Sequence, residues 1–489
     1  MIWKSCPDPV ATAPGSDTKR VKLSAVRHAP IAMHQSIAKP ANGLLDRLIQ
    51  PFRAAPPAKV QLTDPQLIAR QYRYWQTRVL ISSIIGYATF YFVRKNLSIA
   101  MPFMETGLGI QKSQLGLFLT LHGLLYGVSK FANGFFGDRA HARNLMLTGL
   151  AASAILNVAF GFSSTVFVLG TIWMLNGWVQ GMGFPPCARL ITNWFPPKKL
   201  ATKMSIWNMS HPIGGALILI ICGYLVVFGW RVCFFVPAVI ALLVSAFLWF
   251  ALPDTPPSVG LPEVEGTHHV TQDRESNENF RAFVIEHVFK NKYIWIVSIA
   301  NFFVYIIRYA VLDWGPTMLT QAKHIKIAHA AWMVAGFEFG GLLGALVGGW
   351  ITDRFLNGRA VRLCLVYMLL AGVSVLVFWR VTVQSEILLA GILASAGFFI
   401  YGPQCLLAVA AANLATKRAA ATAIGLTSIF GYASTVLSGW GLGALVQAYG
   451  WNIAFEGLIV VAAFGSLLFA LAWNAQANGY EQTPTSTPS

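Results

Sequence analysis

Gly134-Phe-Phe-Gly-Asp138-Arg139 and Gly349-Trp-Ile-Thr-Asp353-Arg354 each close an apolar segment, and their acids stand 215 positions apart. Two further matches keep nearly the same offset. Tyr91-Phe-Val-Arg94 is echoed by Tyr305-Ile-Ile-Arg308, 214 positions later, and Phe228-Gly-Trp230 by Tyr449-Gly-Trp451, 221 positions later. Three matches at one spacing mark an internal duplication. Around these motifs the chain divides into apolar segments near 77–103, 112–136, 143–162, 165–190, 199–227, 231–252, 292–318, 328–352, 361–380, 385–411, 417–445 and 451–473. One polar stretch, 253–291, separates the first six from the last six. Twelve helices of about 20 residues each need roughly 240 residues in lipid, which 489 residues supply. The expected fold is an all-α integral membrane protein of twelve transmembrane helices in two six-helix halves.

Composition agrees: 55% of the residues are hydrophobic and only 11% charged. That balance excludes a disordered chain, a coiled coil and a disulfide scaffold. The net charge of +17 would suggest nucleic acid in a soluble domain. Here the basic residues are scattered among apolar runs, so a nucleic-acid partner is not expected. The six cysteines form no CxxC pair, which argues against structural zinc. No Walker loop, metalloprotease helix or nucleophile elbow occurs. Neither enzyme chemistry, nor a metal, nor a cofactor is expected.

Residues 1–78 hold twelve Lys/Arg against four acids and lack the apolar core of a signal peptide. Residues 1–76 therefore read as a disordered cytoplasmic extension, within which Met33 offers an alternative start. The two halves occupy 77–252 and 292–473, 253–291 forms a central cytoplasmic loop, and 474–489 a cytoplasmic tail. The gaps after helices two, four, eight and ten carry Arg139, Arg143, Lys198, Lys199, Lys203, Arg354, Arg359, Arg362, Lys417 and Arg418. The opposite gaps carry only Lys112, Arg231, Lys323, Lys326 and Arg380. The positive-inside rule then puts both termini in the cytoplasm.

Ionisable groups at mid-helix cost about 3 kcal/mol or more to bury, so they report function. Six stand out: Arg94, Lys95, Lys130, Arg308, Asp313 and Glu338. Tyr87, Tyr91, Arg94 and Lys95 share one helix face. Asn301, Tyr305 and Arg308 repeat the spacing, and His122, Tyr126 and Lys130 form a stripe in the second helix. Phenols beside guanidinium groups suit anionic oxygens, because the planar Arg fork gives two parallel hydrogen bonds and stays charged. Lys95 and Lys130 read two ways, as ligand groups or as helix-to-helix pairs with Asp313 and Glu338. His211 shares a face with Asn208, and a lone helical His is more often a packing residue. Four cations less two acids leave +2 between the halves, matched by a phosphate monoester or inorganic phosphate. Two unpaired cations should resist an occluded intermediate, so the site would reorient when loaded and exchange one anion for another. Gly336, Gly340, Gly344 and Gly348 predict a close helix approach along helix eight, and Pro185-Pro186 and Tyr401-Gly-Pro403 predict bends in helices four and ten.

Tyr91-Phe-Val-Arg94-Lys95-Asn96, Gln180-Gly-Met-Gly-Phe-Pro-Pro-Cys187, Trp207-Asn208-Met-Ser-His211 and Tyr305-Ile-Ile-Arg308-Tyr-Ala-Val-Leu-Asp313-Trp314 resemble one family. It is the organophosphate:phosphate antiporters of the major facilitator superfamily, which includes glycerol-3-phosphate, hexose-6-phosphate and phosphoglycerate transporters and a related sugar-phosphate receptor. The likeness runs from about Tyr72 to Trp473. It implies the major facilitator fold in a bacterial inner membrane, a monomer, and an organophosphate exchanged for inorganic phosphate by alternating access. It implies that Arg94 and Arg308 bind substrate phosphate, with His211 beside them. It implies charge pairs Lys95–Asp313 and Lys130–Glu338, and a cavity lined by Tyr87, Tyr91, Tyr126, Tyr305, Tyr401 and Tyr432.

Phe337-Glu338-Phe339-Gly340-Gly341 and Tyr401-Gly402-Pro403-Gln404 look closest to hexose-phosphate members and the sugar-phosphate receptor. Helix eleven has no charge between Ala419 and Leu445, where some hexose-phosphate carriers place a charged pair. The expectation is therefore the organophosphate class. Two alternatives stay open: a receptor signalling to a membrane histidine kinase, and a proton-coupled symporter using Asp313 and Glu338.

Overall fold

Gly229 and Gly450, the central residues of the duplicated Phe-Gly-Trp and Tyr-Gly-Trp motifs, both adopt positive φ, 109° and 81°. This backbone region is open to glycine and strained for other residues, so each half makes the same turn into its last helix. The computed structural model describes residues 50–53, 55–137, 140–264, 282–381, 385–415 and 419–475. Residues 1–49, Asp138, Arg139, the central 265–281, Lys417, Arg418 and the tail from 476 lie outside the described residues.

The first half consists of α1 (Pro65–Phe92), α2 (Asn96–Leu108), α3 (Lys112–Gly137), α4 (Ala142–Phe162), α5 (Val166–Gln180), α6 (Phe184–Trp194), α7 (Pro197–Asn208), α8 (Ser210–Leu225) and α9 (Val232–Ala251). The second half consists of α10 (Lys292–Ala322), α11 (Ile327–Phe355), α12 (Ala360–Arg380), α13 (Glu386–Leu414), α14 (Ala420–Ala433), α15 (Leu442–Tyr449) and α16 (Trp451–Leu471). Ten stretches among the described residues are long and apolar enough to cross a membrane. The divided pairs α1/α2 and α5/α6 complete twelve spans in two sets of six, so the all-α membrane fold holds.

The sequence reading treated every span as continuous, and four are not. The first breaks at Val93–Lys95, the fourth at Gly181–Gly183, the fifth at Met209, and the eleventh through a π-helical segment, Val436–Gly441. In the fourth, Pro185 and Pro186 occupy the opening turn of α6, where a missing N–H costs nothing; the predicted bend is an interruption. Helix ten, by contrast, runs uninterrupted past Pro403 as α13.

The extension also ends earlier than expected. Asp64 caps α1 through its side chain, with Pro65 opening the helix. Residues 55–62 are held against the chain leaving α9: the Ala58 and Leu62 N–H groups donate to the Pro257 and Gly260 carbonyls, each at 2.8 Å. Buried Asp254 accepts from Ala55 N–H at 3.0 Å and Ala142 N–H at 2.8 Å. Its carboxylate thus ties the lead into α1 to the start of α4.

Of the glycine series in α11, two members make the close approach. A Cβ on Gly340 would lie 2.1 Å from the Ala394 carbonyl oxygen, and one on Gly344 would lie 1.9 Å from that of Phe398. Gly336 meets nothing within 4 Å and Gly348 only ordinary contacts at 3.4 Å and beyond. The seam between α11 and α13 therefore occupies two turns.

The halves meet toward the end opposite α1. Ser113 N–H donates to Gln447 at 3.0 Å, Thr120 Oγ1 donates to the Thr435 carbonyl at 2.7 Å, and Trp332 Nε1 donates to the Tyr224 hydroxyl at 2.9 Å. Glu105 accepts from Gln321 at 2.8 Å and pairs with Lys112. The hydrogen bonds between halves reach from this rim inward to Lys130–Tyr432.

Candidate functional site

The break after Phe92 turns the backbone where the two first-span cations stand. Arg94 lies with its guanidinium carbon 4.2 Å from the Tyr126 ring centroid and 5.4 Å from that of Tyr91. From the other half, α10 carries buried Arg308, which donates from Nη2 to the Tyr401 hydroxyl at 3.1 Å. The rings of Tyr401, Tyr309 and Tyr305 lie 4.8, 5.5 and 5.7 Å from its guanidinium carbon. Aromatic faces attract a cation without neutralising it, so these rings leave both guanidinium charges in place. Arg308 Nε has no hydrogen-bond partner. Tyr91, His211 and Tyr309 each lie within electrostatic reach of both arginines, so the two cations serve one site between the halves.

His211 belongs to it. Its Nδ1 lies 3.2 Å from the Tyr91 hydroxyl, and its ring packs against both Tyr87 and Trp207 with centroids 4.7 and 5.4 Å away. Nε2 is buried without a partner. Tyr87 and Tyr126 exchange a hydroxyl hydrogen bond at 3.3 Å, and Tyr126 meets Tyr432 edge-on at 5.3 Å. The expected tyrosines thus form one lining.

One expected charge pair is present and the other is not. Lys95 Nζ stands 2.5 Å from Asp313 Oδ1, both buried, linking the first span to the seventh. Lys130 and Glu338 make no such pair. Lys130 Nζ donates to the Tyr432 hydroxyl at 3.2 Å and sits 4.0 Å from the Phe184 ring centroid. Glu338, 1% exposed, accepts from the Tyr401 hydroxyl, and its Oε1 has no hydrogen-bond partner. The reason is in the packing: α3 faces α14, whereas Glu338 faces α8, where a Cβ on Gly215 would lie 2.8 Å from its Oε1. Tyr401 therefore bridges Arg308 to Glu338. The formal surplus is still +2, carried by Arg94, Arg308 and Lys130 against Glu338.

Four contributors escaped the sequence reading. Tyr309 follows Arg308 directly and stands four residues beyond Tyr305, and its ring lies near both Arg308 and Lys95; its place on the Asn301–Tyr305 stripe was the available signal. Trp207 and Phe184 stand at the mouths of span interruptions that hydropathy does not reveal. Cys405, one turn beyond Tyr401, is exposed and within electrostatic reach of Arg308. Its spacing from Tyr401 was the available signal.

The description "Major Facilitator Superfamily" matches residues 83–439. A probable hexose phosphate transport protein of Chlamydia trachomatis is 37% identical over 438 residues, covering 86% of this chain and 96% of the relative. The chain belongs to the organophosphate:phosphate antiporter family of the Major Facilitator Superfamily. A glycerol-3-phosphate transporter of Bacillus subtilis is 36% identical, covering 86% of this chain and 97% of that one. The membrane sensor protein UhpC of Escherichia coli is 35% identical, covering 87% and 98%. Among solved structures, a bacterial homologue of the human lysosomal transporter Spinster, inward-facing and occupied, superposes with a TM-score of 0.68 at 15% identity, covering 81% of this chain and 97% of that one. At that identity the superposition speaks for the fold alone. In this family member, the duplicated halves found in the sequence are the two bundles of a multi-pass membrane transporter fold.

Proposed function

We propose that the protein exchanges an organophosphate, a sugar phosphate or glycerol-3-phosphate, for inorganic phosphate across the bacterial inner membrane, with both termini cytoplasmic. The observation that carries this reading is the placement of Arg94 and Arg308, one from each half, in a single aromatic site. A doubly charged phosphate group matches the surplus of +2 and can draw bidentate hydrogen bonds from each guanidinium. The hexose-phosphate and glycerol-3-phosphate names of the relatives support the substrate class.

With the termini cytoplasmic, the halves touch at the outer end and the site faces inward. Arg94 and Lys130 must approach Arg308 further for the inner end to close, and the cations oppose that approach until an anion lies between them. Phosphate or organophosphate binding then favours the occluded state, so exchange is coupled without enzymatic chemistry or a cofactor, and a monomer suffices.

Counterflow of labelled phosphate in proteoliposomes tests the proposal. Exchange is expected in the parent protein and is lost in Arg94→Lys and Arg308→Lys. An anionic thiol reagent should label Cys405, and phosphate should slow the labelling. A parent protein without exchange refutes the transporter reading. The second reading is a receptor for external sugar phosphate acting on a histidine kinase, favoured by the likeness to UhpC. It predicts phosphate-protected Cys405 with negligible flux.

A further inference from the structure

The interruption of the first span exposes backbone groups that a continuous helix would satisfy. The Arg94 and Lys95 N–H groups both donate to the Tyr91 carbonyl, at 3.2 and 2.9 Å. The Phe90 carbonyl thereby loses its usual donor four residues on, and the Val93 carbonyl faces the break. Buried carbonyls without donors are costly, and here side chains supply them. Gln180 Nε2 donates to Phe90 O at 3.1 Å. Asn157 Nδ2 and Asn176 Nδ2 both donate to Val93 O, at 3.0 and 2.9 Å.

The donors are themselves fixed. Ser153 Oγ donates to Asn176 Oδ1 at 2.5 Å and accepts from Gln180 Nε2 at 2.8 Å. Asn157 Oδ1 accepts from Asn96 Nδ2 at 2.8 Å, the first residue after the break. Ser153 and Asn157 are one turn apart on α4, and Asn176 and Gln180 one turn apart on α5, so two polar stripes converge on the Phe90 and Val93 carbonyls. All five side chains are at most 2% exposed. The second half has no counterpart: α10 runs unbroken through Arg308, and α12, the counterpart of α4, carries neither Asn nor Gln.

We propose that Ser153, Asn157, Asn176 and Gln180 are positioning residues for Arg94 and Lys95. They hold the peptide planes on either side of Val93, and so direct Arg94 into the site and Lys95 toward Asp313. Both guanidinium groups lie against tyrosines, but Arg94 stands at a held break in its span, whereas Arg308 stands in an unbroken helix. This inference rests on Arg94 as a phosphate ligand.

The test is phosphate counterflow by the full-length protein in proteoliposomes, measuring half-saturating phosphate and maximal rate separately. Asn157→Leu and Asn176→Leu remove the donors at nearly constant volume. Half-saturating phosphate should rise about tenfold, with the maximal rate of the reconstituted protein changed less than about threefold. Asn157→Ser and Asn176→Ser, whose shorter side chains lack the amide, should show the same split and serve if the leucine variants do not fold. Ser245→Ala, which removes a buried hydroxyl bonded to the Leu147 carbonyl away from the break, should leave half-saturation unchanged. If the asparagine variants lose only rate, or if Ser245→Ala raises half-saturation equally, positioning is refuted. Arg94→Lys separates the two levels. Loss of exchange there with unchanged half-saturation in the asparagine variants sinks only the positioning role, whereas no effect of Arg94→Lys sinks the phosphate reading as well.

Discussion

The Lys95 ammonium lies 2.5 Å from the Asp313 carboxylate, joining the break in the first span to an unbroken seventh span. Removing one partner strands the other charge in a dry interface. Asp313→Asn should therefore destabilise the protein by about 3–5 kcal/mol, and Lys95→Met combined with Asp313→Leu should recover much of that loss. Thermal unfolding in detergent would check it, and a double variant no more stable than Asp313→Asn would contradict the pairing.

Glu338 is tied to Tyr401, and Lys130 to Tyr432. A double-mutant cycle on half-saturating phosphate should give a coupling of about 1–3 kcal/mol for Tyr401→Phe with Glu338→Gln. The cycle of Lys130→Gln with Glu338→Gln should be additive within about 0.5 kcal/mol. Strong coupling in the second cycle would restore the direct pair expected from sequence.

Gly344 and Gly336 lie on the same stripe and should respond differently. Gly344→Ala drives a methyl group into the Phe398 carbonyl and should cost about 1–3 kcal/mol. Gly336→Ala meets nothing within 4 Å and should be neutral or stabilising by up to about 1 kcal/mol. Apparent melting temperatures of the two variants distinguish these outcomes.

His141 stands beside Asp254 at the start of α4, outside the membrane spans, with Arg143 and Arg189 nearby. Burial holds its imidazole below the usual histidine range, and the Asp254 carboxylate opposes that shift only in part. Its folded-state pKa is thus depressed relative to the unfolded chain. The neutral form stabilises the fold above the unfolded value of about 6.5, and that contribution is lost as the pH falls below it. Melting temperature should decline on acidification below about pH 6.5, and His141→Gln should flatten that decline. An unchanged profile in His141→Gln would remove His141 as its source.

The expected site residues converge, for a local reason. A charge in an apolar run announces itself by its cost, and Arg94, Lys95, Arg308, Asp313 and Glu338 were each visible that way. Which partner each charge meets was not legible in the same way. The resemblance implied a pair of Lys130 with Glu338, but the partner depends on which face of α3 meets the second half. The α4–α5 amides were missed because they act on carbonyls distant in the chain, whereas Tyr309 was legible as the next step of the Asn301–Tyr305 stripe.

Hydropathy and repetition by themselves determined the twelve spans, the division into six and six, and the cations that matter, since lipid burial and internal duplication are properties of short segments. Tertiary structure decided where the first, fourth, fifth and eleventh spans break, which two glycines of the α11 stripe meet α13 carbonyls, and which group each buried charge meets. Those outcomes depend on where carbonyls and side chains more than a hundred residues apart come to rest, which is settled only when the helices pack.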